Sequence, residues 1–453
     1  MTTRLSRADT RPIAPVRMLH LGLGNFHRAH QAWFTEHAPD AAEWGYAEFA
    51  GRDSALVDEL NEQGGAYTLL VRGADGDQPE VIGAISAVHQ ATDHEAWLNY
   101  WVEPELAVIT ITVTEAGYCR GEDGGLDLAD PGVLADLEAL RADPRALVGT
   151  APGRLLAGIL ARAEAGQGAV AVFSCDNLPE NGLVAQRVVG DLAAALGPEA
   201  VAAVTPHSWV TSMVDRITPR ATDEELAAVA ELTQRDDRAP VVTEPFVEWV
   251  VAGDFPAGRP DWQGVTFVDD VEPFEQRKLW LLNGSHSLMA YAASARGHEA
   301  VSDAIGDPVV RGWVEEWWDE AVRHLSLPAD HLETYRAALV ARFANPNIRH
   351  LLAQIAADGS QKVPVRILPT LKAERAAGRS GRGAARVVAA WIRHLRGAGA
   401  PVTDAAGDRF VTVVQMEGAE GVRRVLELLD PELGADDGVV ELVESLVAEL
   451  AGA

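Results

Sequence analysis

The first half of the chain alternates short apolar runs with longer helical stretches. The runs are rich in β-branched residues, are bounded by polar or glycine-containing turns, and read VRMLHLGL (16–23), YTLLV (67–71), LAVITITVT (106–114) and AVAVFSC (169–175). Ala/Leu-rich segments with helical spacing lie between them, for example at 153–166 and 181–196. Such runs are typical of strands that are buried on both faces of a mainly parallel sheet. The alternation therefore predicts an α/β doubly wound domain.

The character of the sequence changes after about residue 272. The remaining segments, from EQRKLWLLNGSHSLMAYAASA to VVELVESLVAEL, have helical periodicity, and we find no convincing strand among them. We therefore expect an α/β domain over 1–272 and an all-helical domain over 273–453. The Ala/Gly/Arg-rich stretch 373–386 is expected to be a solvated loop or a helix connection.

Composition excludes several classes of function. The formal net charge of −29 disfavours nucleic acid and anionic membrane surfaces as partners, and no run of about 18 apolar residues is present to span a bilayer. Cys119 and Cys175 are too few for a disulfide framework, and without a nearby Cys/His cluster they predict no zinc or other metal site. The first residues lack the apolar region of a secretory signal, so we expect a cytosolic protein.

A glycine motif follows the first apolar run. Gly22-Leu-Gly24 ends a predicted strand and precedes a helix, an arrangement that presents backbone N–H groups to a pyrophosphate. His27 occupies the place of the usual third glycine, so the motif also fits a tight turn without a ligand. The adjacent cluster of His27, Arg28 and His30 favours an anionic ligand.

Cofactor choice is suggested by a pair of residues about thirty positions further on. Arg52 and Asp53 follow the expected second strand. An acid there accepts hydrogen bonds from the adenosine ribose of NAD, whereas an arginine accommodates the 2′-phosphate of NADP. We expect NAD as the cofactor, with NADP as the open alternative.

A second group of candidate residues lies in KLWLLNGSH. In a regular α-helix, Lys278 and His286 lie about two turns apart, and Asn283 lies about 140° from the Lys278 direction. A desolvated lysine, an amide donor and a histidine suit alcohol–ketone chemistry, because they supply a base, an oxyanion donor and a substrate ligand. The alternative is an exposed lysine, a helix-breaking asparagine and a capping histidine.

Three further polar segments carry open alternatives. Asn177 lies in SCDNLPENG, after a predicted buried strand, and is either a second amide donor or part of a plain turn. Asp215 and Arg216 are more typical of an internal ion pair than of a catalytic pair. Lys362, one of only three lysines, is expected in a helix-terminal loop, where solvation alone explains it.

These segments together resemble the mannitol dehydrogenase family of long-chain polyol and hexuronate dehydrogenases. The similar blocks, in chain order, are HLGLGNFHRAHQ (20–31), TVTEAGY (112–118), SCDNLPENG (174–182), SMVDRITP (212–219), FVDDVEPFEQRKLWLLNGSHS (267–287) and NPNIRHLLAQIAADGSQKVP (345–364). The resemblance implies a Rossmann-like N-terminal domain that binds the dinucleotide and a helical C-terminal domain that binds substrate. It also implies a cleft between them and metal-independent interconversion of a secondary alcohol and a ketone.

The resemblance also implies residue roles. Lys278 would be the general base in oxidation and the acid in reduction, with Asn177 and Asn283 forming the oxyanion pocket. His286 would bind substrate, and Glu275 would gate proton exit to solvent. Further contacts are implied with substrate at Asp215, Gln354 and Lys362, and with cofactor at Gly22, Gly24, Asn25, Phe26, His27, Arg28, Asp53 and Thr114.

One departure from the family bears on the substrate. Polyol-oxidising members carry an arginine at the position of Gln354, and the wording around Cys119 and Lys362 is more similar to the fructuronate reductase branch. We therefore favour D-fructuronate/D-mannonate as the substrate pair, with D-mannitol/D-fructose or D-arabinitol as the alternative. A non-catalytic NAD sensor is the remote alternative. A monomer or a small homo-oligomer is expected.

Overall fold

The structure, a computed structural model, describes residues 3–52, 54–219, 221–404 and 407–452. The chain divides into two units, Met1–Glu272 and Pro273–Ala453. In the described parts of the chain, all strands belong to the first unit, and the second unit is built from helices. The predicted fold class, an α/β domain followed by a helical domain, is confirmed.

Strands make up three sheets in the first unit. Their bounds are β1 Thr3–Arg4, β2 Val16–Leu21, β3 Gly45–Phe49, β4 Tyr67–Gly73, β5 Gly76–Ile82, β6 Ile85–His89, β7 Val108–Ile111, β8 Ala171–Ser174, β9 Ser208–Asp215, β10 Arg235–Asp236, β11 Val241–Thr243, β12 Glu248–Ala252 and β13 Thr266–Phe267. The main sheet has the order β13-β12-β9-β8-β7-β2-β3-β6. The strands from β6 to β9 are all parallel, and β12 is antiparallel to β9.

The six parallel strands β6-β3-β2-β7-β8-β9 reproduce the 3-2-1-4-5-6 order of dinucleotide-binding Rossmann sheets. The strand order reverses between β2 and β7, since β3 lies on one side of β2 and β7 on the other. In open α/β sheets a ligand binds at this reversal, outside the carboxyl ends of the strands. The fold therefore places a candidate site after Leu21 and Ile111.

Helices cover both faces of this sheet. Their bounds are α1 Asn25–Ala29, α2 Gln31–Glu36, α3 Ala55–Glu62, α4 His94–Trp101, α5 Pro131–Ala142, α6 Ala151–Glu164, α7 Asn181–Leu196, α8 Pro198–Val204 and α9 Asp223–Thr233. Alternate residues of one strand enter different cores: Leu19 packs with Trp97 and Leu156, whereas Met18 packs with Trp249. Burial on both faces explains the continuous apolar runs in the sequence.

The run YTLLV is an exception to the predicted sheet. It forms β4, which pairs parallel with β11 and antiparallel with β5 in a separate three-stranded sheet. Its expected place among the strands of the main sheet is therefore wrong. The hairpin partner β5 follows after only two residues, so the short turn at Gly73–Gly76 decides the pairing.

The second unit consists of helices from the end of the first unit onwards. Their bounds are α10 Glu272–Arg277, α11 Ser285–Leu288, α12 Val301–Gly306, α13 Pro308–Ala321, α14 Ala329–Phe343, α15 Leu352–Ile355, α16 Gly359–Arg366, α17 Leu368–Ala376, α18 Arg382–Leu395, α19 Val411–Val414, α20 Gly418–Leu429, α21 Pro431–Ala435 and α22 Asp437–Gly452. None of the helices in the described residues has the length and apolar character needed to cross a membrane.

The stretch 373–386 matches its expected place as an exposed helix connection only in part: residues 377–380 are exposed between α17 and α18, whereas the end of the stretch is helical and buried. Residues 382–386 begin α18, whose inner face is buried. Glu320 accepts hydrogen bonds from the backbone N–H groups of Gly383 and Ala384, both at 2.9 Å, and so caps the helix. Arg386 is buried against Glu316. The N-cap residue of α18 provides no side-chain hydrogen bond, and Glu320 of another helix caps the N-terminus instead. The local sequence therefore did not indicate that a helix begins here.

Candidate functional site

The carboxyl ends of four parallel strands meet at one edge of the main sheet. Leu21 lies opposite both Phe49 and Ile111, and Ile111 lies opposite Ser174. The turns after β2, β3, β7 and β8 consequently leave the sheet side by side.

Two cavities follow this edge and form one groove. The first, of about 450 Å³, is lined by the turns after β2, β3 and β7 and by the start of α6. The second, of about 380 Å³, shares Gly22 and the segment 112–114 with the first. It is further lined by Gly24, Asn25, Phe26, Glu115, Asp176, Asn177 and Leu178. The predicted cofactor residues Gly22, Gly24, Asn25, Phe26 and Thr114 therefore lie along one continuous groove.

The two glycines of the groove fit a bound dinucleotide. Gly22 has φ +118°, and a Cβ there would lie 2.1 Å from the carbonyl oxygen of Thr112. Gly24 has ordinary extended backbone, and a Cβ there would meet only the Gly22 carbonyl oxygen, at 3.5 Å. A side chain at Gly24 would enter the groove, whereas its absence lets a pyrophosphate approach the backbone. Arg52 lines the first cavity, and Asp53 lies outside the described residues.

His27 and Arg28 lie in the core, not in the groove. The His27 imidazole is fully buried and stacks on His20, with ring centroids 3.5 Å apart. Arg28 is buried over the Tyr67 ring and donates to the Ala239 carbonyl and to Asn25 Oδ1. The two side chains pack in the core beside the turn. The expected contact of His27 and Arg28 with an anionic ligand in the groove is therefore not seen.

A buried polar cluster beneath the turn has no counterpart in the sequence analysis. In the described residues, His20, His27 and Glu48 form a group with ligand atoms within 4.8 Å of one another. Burial lowers the pKa of both histidines to about 3 and raises that of Glu48 to about 7. The nitrogens of His20 already contact Thr110 Oγ1 and the Gly22 carbonyl. Because the two rings are parallel, they are poorly oriented to share one metal ion.

The turn after β8 presents Asn177 at the second cavity. Asn177 is exposed there, while its neighbour Asp176 is buried. Asp176 accepts hydrogen bonds from the Tyr118 hydroxyl and from Leu178 N, the latter at 3.0 Å. Burial raises the pKa of the Asp176 carboxyl to about 6. Asp176 and Tyr118 were not predicted as site residues, although they lie in the motifs SCDNLPENG and TVTEAGY.

Asp215 and Arg216 lie at the end of β9. Both are buried. The Arg216 guanidinium donates to the carbonyl groups of Glu244 and Ala29 and lies over the Trp33 ring. Arg216 is therefore held by backbone acceptors and an aromatic face. Asp215 occupies the carboxyl end of its strand, where α/β sheets place ligands.

The lysine motif of the second unit lies in a helix that is not regular. Residues Lys278–Gly284 form π-helix, Ser285–Leu288 form α11, and Met289–Ala293 are again π-helix. Hydrogen bonds from i to i+5 place residues five apart on successive turns of one side. The expected offset of about 140° between Lys278 and Asn283 is therefore wrong: the wider helix brings the two toward one face.

Two tryptophans of α13 support this π-helical segment. The indole N–H groups of Trp317 and Trp318 donate to the carbonyl oxygens of Trp280 and Leu281, each at 3.0 Å. A Cβ at Gly284 would lie 2.8 Å from the Trp317 ring. The indole donors thus give two carbonyl groups of the π-helical segment a hydrogen bond from outside the helix. The missing side chain at Gly284 lets the Trp317 ring pack against the segment.

The other predicted residues of the second unit lie on nearby helices. His286 is buried, with its ring centroid 5.1 Å from that of Phe343 and 4.9 Å from that of His350. Arg366 donates to Ser287 Oγ at 3.2 Å and, at 3.4 Å, to the Asn283 carbonyl. Glu275 lies on α10, three residues before Lys278, and is half-buried.

Lys362 differs from its expected place in a loop. It lies within α16 and donates from Nζ to the carbonyl groups of Ile355, at 3.1 Å, and Ala357. Solvation alone therefore does not explain this lysine. Gln354 lies exposed on α15.

Comparison with known proteins identifies the same family in both units. Residues 16–264 match the mannitol dehydrogenase Rossmann domain, and residues 270–451 match the mannitol dehydrogenase C-terminal domain. The chain is 38% identical over 431 residues to D-mannonate oxidoreductase of Escherichia coli K12, covering 91% of this chain and 88% of that protein. It is 34% identical over 426 residues to mannitol 2-dehydrogenase of Pyrenophora tritici-repentis, covering 89% and 74%.

A solved structure agrees with these matches. The ternary complex of Pseudomonas fluorescens mannitol 2-dehydrogenase with NAD and D-mannitol aligns with a TM-score of 0.81 and 32% identity, over 99% of this chain and 94% of that one. A substrate-free D-sorbitol dehydrogenase aligns with a TM-score of 0.88 and 28% identity, over 99% and 96%. The chain therefore belongs to the mannitol dehydrogenase family and is an NAD(P)-dependent oxidoreductase that acts on CH–OH groups.

Proposed function

We propose that this enzyme reduces D-fructuronate to D-mannonate with NADH and catalyses the reverse oxidation. One observation carries the proposal: the glycine-lined groove at the strand-order reversal ends at the exposed amide of Asn177. A dinucleotide in this groove would place its reactive end beside a hydrogen-bond donor that suits a developing alkoxide. The full-length similarity to D-mannonate oxidoreductase supports the choice of substrate.

The groove residues would hold the cofactor through backbone contacts. Gly22 and Gly24 would contact the pyrophosphate, and the turn containing Arg52 would contact the adenosine ribose. When bound, the nicotinamide ring exchanges a hydride with the substrate carbon. NADP remains the alternative cofactor, because Arg52 is available to a 2′-phosphate.

The polar residues of both units would handle the proton and the substrate oxygen. In reduction, Lys278 donates a proton to the oxygen as the carbon accepts the hydride, and the ketone becomes a secondary alcohol. Asn177 and Asn283 donate hydrogen bonds to the developing alkoxide. His286 binds substrate, and Glu275 connects Lys278 to solvent. No step in this scheme needs a metal ion.

The substrate tail would lie against Asp215, Gln354 and Lys362. The neutral Gln354 in place of an arginine is the feature that separates this chain from polyol-oxidising members. D-mannitol/D-fructose is the second candidate pair, since relatives named mannitol 2-dehydrogenase and D-arabinitol 4-dehydrogenase are 33–35% identical and one solved relative holds D-mannitol.

The test is oxidation of NADH or NADPH with D-fructuronate, D-tagaturonate and D-fructose, together with reduction of NAD or NADP by the matching alcohols. We expect the highest kcat/KM with D-fructuronate and NADH, unchanged by a chelator. Lys278→Ala should lower kcat by about 10²–10⁴-fold, the usual contribution of a general acid–base group. Lys372→Ala is the matched control, because Lys372 only forms surface ion pairs with Asp430 and Glu432.

Three results would contradict the proposal. Preference for D-fructose or D-mannitol would favour the second candidate. Nearly full activity in Lys278→Ala would remove that lysine from the reaction. Tight NADH binding without turnover of any substrate would favour a sensor.

A further inference from the structure

A buried side-chain pair joins two turns at the edge of the groove. Tyr118 ends the 3₁₀ turn Glu115–Tyr118 after β7, and its hydroxyl donates to Asp176 Oδ2 in the turn after β8. Tyr118 is 2% exposed and Asp176 9% exposed. Because β7 and β8 are paired neighbours in the sheet, this hydrogen bond fixes one turn relative to the other.

Asp176 also holds the backbone on both sides of Asn177. Its Oδ1 accepts from Leu178 N at 3.0 Å, and its carbonyl oxygen accepts from Asn181 Nδ2 at 3.0 Å. The same Asn181 amide donates to the Ser212 carbonyl of β9 at 2.9 Å. Asp176, which precedes Asn177, is therefore tied to the turn after β7 and, through Asn181, to β9, and it holds Leu178 in turn, while Asn177 itself lines the cavity.

We propose that Tyr118 and Asp176 are positioning residues that hold the Asn177 amide where it meets the developing alkoxide. This inference rests on the proposed function, in which Asn177 is an oxyanion donor. Donors of this kind act through fixed geometry, and a shift of about 1 Å costs up to about 10²-fold in rate.

The energetics explain why the hydroxyl is needed. Burial disfavours the Asp176 carboxylate, and the Tyr118 hydrogen bond opposes that effect. Without the hydroxyl, the buried carboxylate keeps the backbone N–H of Leu178 as a donor but loses the Tyr118 hydroxyl, and the unsatisfied oxygen turns toward solvent or takes up a proton. Both responses change the hydrogen bonds of Asp176, the residue next to Asn177, and so loosen the position of the Asn177 amide.

Tyr118→Phe tests the proposal by removing only this donor. We expect kcat with the best substrate of the panel to fall on the order of tenfold, since the Asn177 amide would no longer be held where it meets the developing alkoxide. The Kd of NADH, measured by fluorescence titration, should change less than about twofold. Asp176→Asn, which leaves one acceptor oxygen for two donors, should lower kcat in the same direction. Tyr100→Phe is the control, because its hydroxyl makes only a 3.4 Å contact with His89.

A double-mutant cycle separates positioning from general weakening of the fold. Asn177→Ala alone should lower kcat by about 10²–10³-fold, as removal of an oxyanion donor does. Adding Tyr118→Phe to Asn177→Ala should then cost less than about twofold, because the donor to be positioned is gone. Equal tenfold losses in both backgrounds would overturn the inference, as would wild-type kcat in Tyr118→Phe.

The failures of the two proposals are distinguishable. A wild-type protein that turns over none of the panel would refute the proposed function and this inference with it. An active wild-type protein whose Tyr118→Phe and Asp176→Asn variants keep full kcat would refute this inference alone.

Discussion

Gly22 and Gly24 are separated by one residue, yet they are required for different physical reasons. The positive φ of Gly22 is a conformation that L side chains rarely adopt, and a Cβ there would overlap the Thr112 carbonyl of the neighbouring strand extension. Gly24 has no such constraint, and its missing side chain keeps the groove open. The fold thus requires the first glycine, and the second leaves the groove open to the proposed cofactor.

Gly22→Ala should therefore damage both stability and binding. We expect the free energy of unfolding to fall by at least about 2 kcal/mol, because backbone strain of about 1–3 kcal/mol adds to the overlap with Thr112. NADH binding should be lost with it. Urea unfolding and fluorescence titration measure the two effects, and a variant with wild-type stability would contradict the left-handed turn.

Gly24→Ala should separate the two properties. An alanine fits the extended backbone, so stability should stay equal or rise by about 0.4–1 kcal/mol, while the added methyl group weakens NADH binding at least about tenfold by blocking the approach of the pyrophosphate. Gly190→Ala on α7 is the matched control, since a Cβ there meets nothing within 4 Å. It should leave the Kd of NADH unchanged. Unchanged affinity in Gly24→Ala would remove the pyrophosphate from this turn.

Single residues were predictable where their chemistry is local. The two glycines follow from a turn that needs bare backbone, and they occupy the groove as expected. His27, on α1, does not lie in the groove, because it packs on His20 of β2 and Glu48 of β3, and only the folded chain shows that the histidine faces inward. Tyr118 and Asp176 were not predicted for the same reason: 58 residues separate the hydroxyl group that donates this hydrogen bond from the carboxyl group that accepts it.

At the scale of elements, the π-helical segment decides how Lys278 and Asn283 are presented. Sequence spacing alone implied a regular α-helix, in which the two side chains point about 140° apart and still allow convergence on one pocket. The structure instead shows i+5 turns, supported by indole donors from α13 and by the absence of a side chain at Gly284. The indole donors lie on a separate helix more than thirty residues away, so no local sequence pattern could predict them.

Trp317→Phe should test whether this support matters for catalysis. The variant keeps most of the ring but leaves the Trp280 carbonyl without its indole donor. We expect a loss of about 1 kcal/mol in the free energy of unfolding. The kcat should fall by about two- to tenfold, since the positions of Lys278 and Asn283 depend on the helix path. Urea unfolding and steady-state kinetics give the two values.

Trp391→Phe provides the control for the same chemical change. Within the described residues, the Trp391 indole nitrogen is buried without a hydrogen-bond partner. Trp391→Phe should therefore lower the free energy of unfolding only through lost packing of the buried ring, without the loss of a hydrogen bond expected for Trp317→Phe. NADH affinity should stay at the wild-type value in both variants. If Trp317→Phe and Trp391→Phe behave alike, the indole donor is not what maintains the π-helical segment.

At the scale of the whole molecule, the alternation of strands and helices was enough to predict an α/β unit followed by a helical one. Strand order was not predictable, because it depends on pairing between distant segments. The antiparallel β12 and the two-residue β13 extend the main sheet. β12 contains the apolar run WVVA, but it was not predicted as a strand, and β13 is too short to have a run of its own. YTLLV is a clear apolar run, but it forms β4 of a different sheet, because its hairpin partner β5 follows only two residues later.

The charge of the whole chain produces two opposing effects of acid. With 67 acidic against 38 basic residues, protonation of carboxyl groups relieves repulsion as the pH falls. It also breaks carboxylate–arginine pairs. Glu374 in the second unit is the clearest case: its buried carboxylate accepts hydrogen bonds from Arg323, His324 and Arg379. The Arg379 bond, more than the other two, lowers the pKa of Glu374 to about 2.

Comparison with Glu374→Gln isolates the second effect. Because the folded pKa lies below the unfolded value of 4.5, the carboxylate stabilises the fold fully above about pH 4.5. This contribution is lost as the pH falls toward about 2.

At pH 7 the Glu374→Gln variant should lose on the order of 2 kcal/mol of unfolding free energy. This difference from wild type should shrink steadily below about pH 4.5. Glu333→Gln, which breaks an exposed pair with Arg336, should cost less than about 0.5 kcal/mol throughout. Urea unfolding along the pH series measures all three proteins, and a Glu374→Gln deficit that stays constant into acid would mean that ionisation of this carboxyl does not stabilise the second unit.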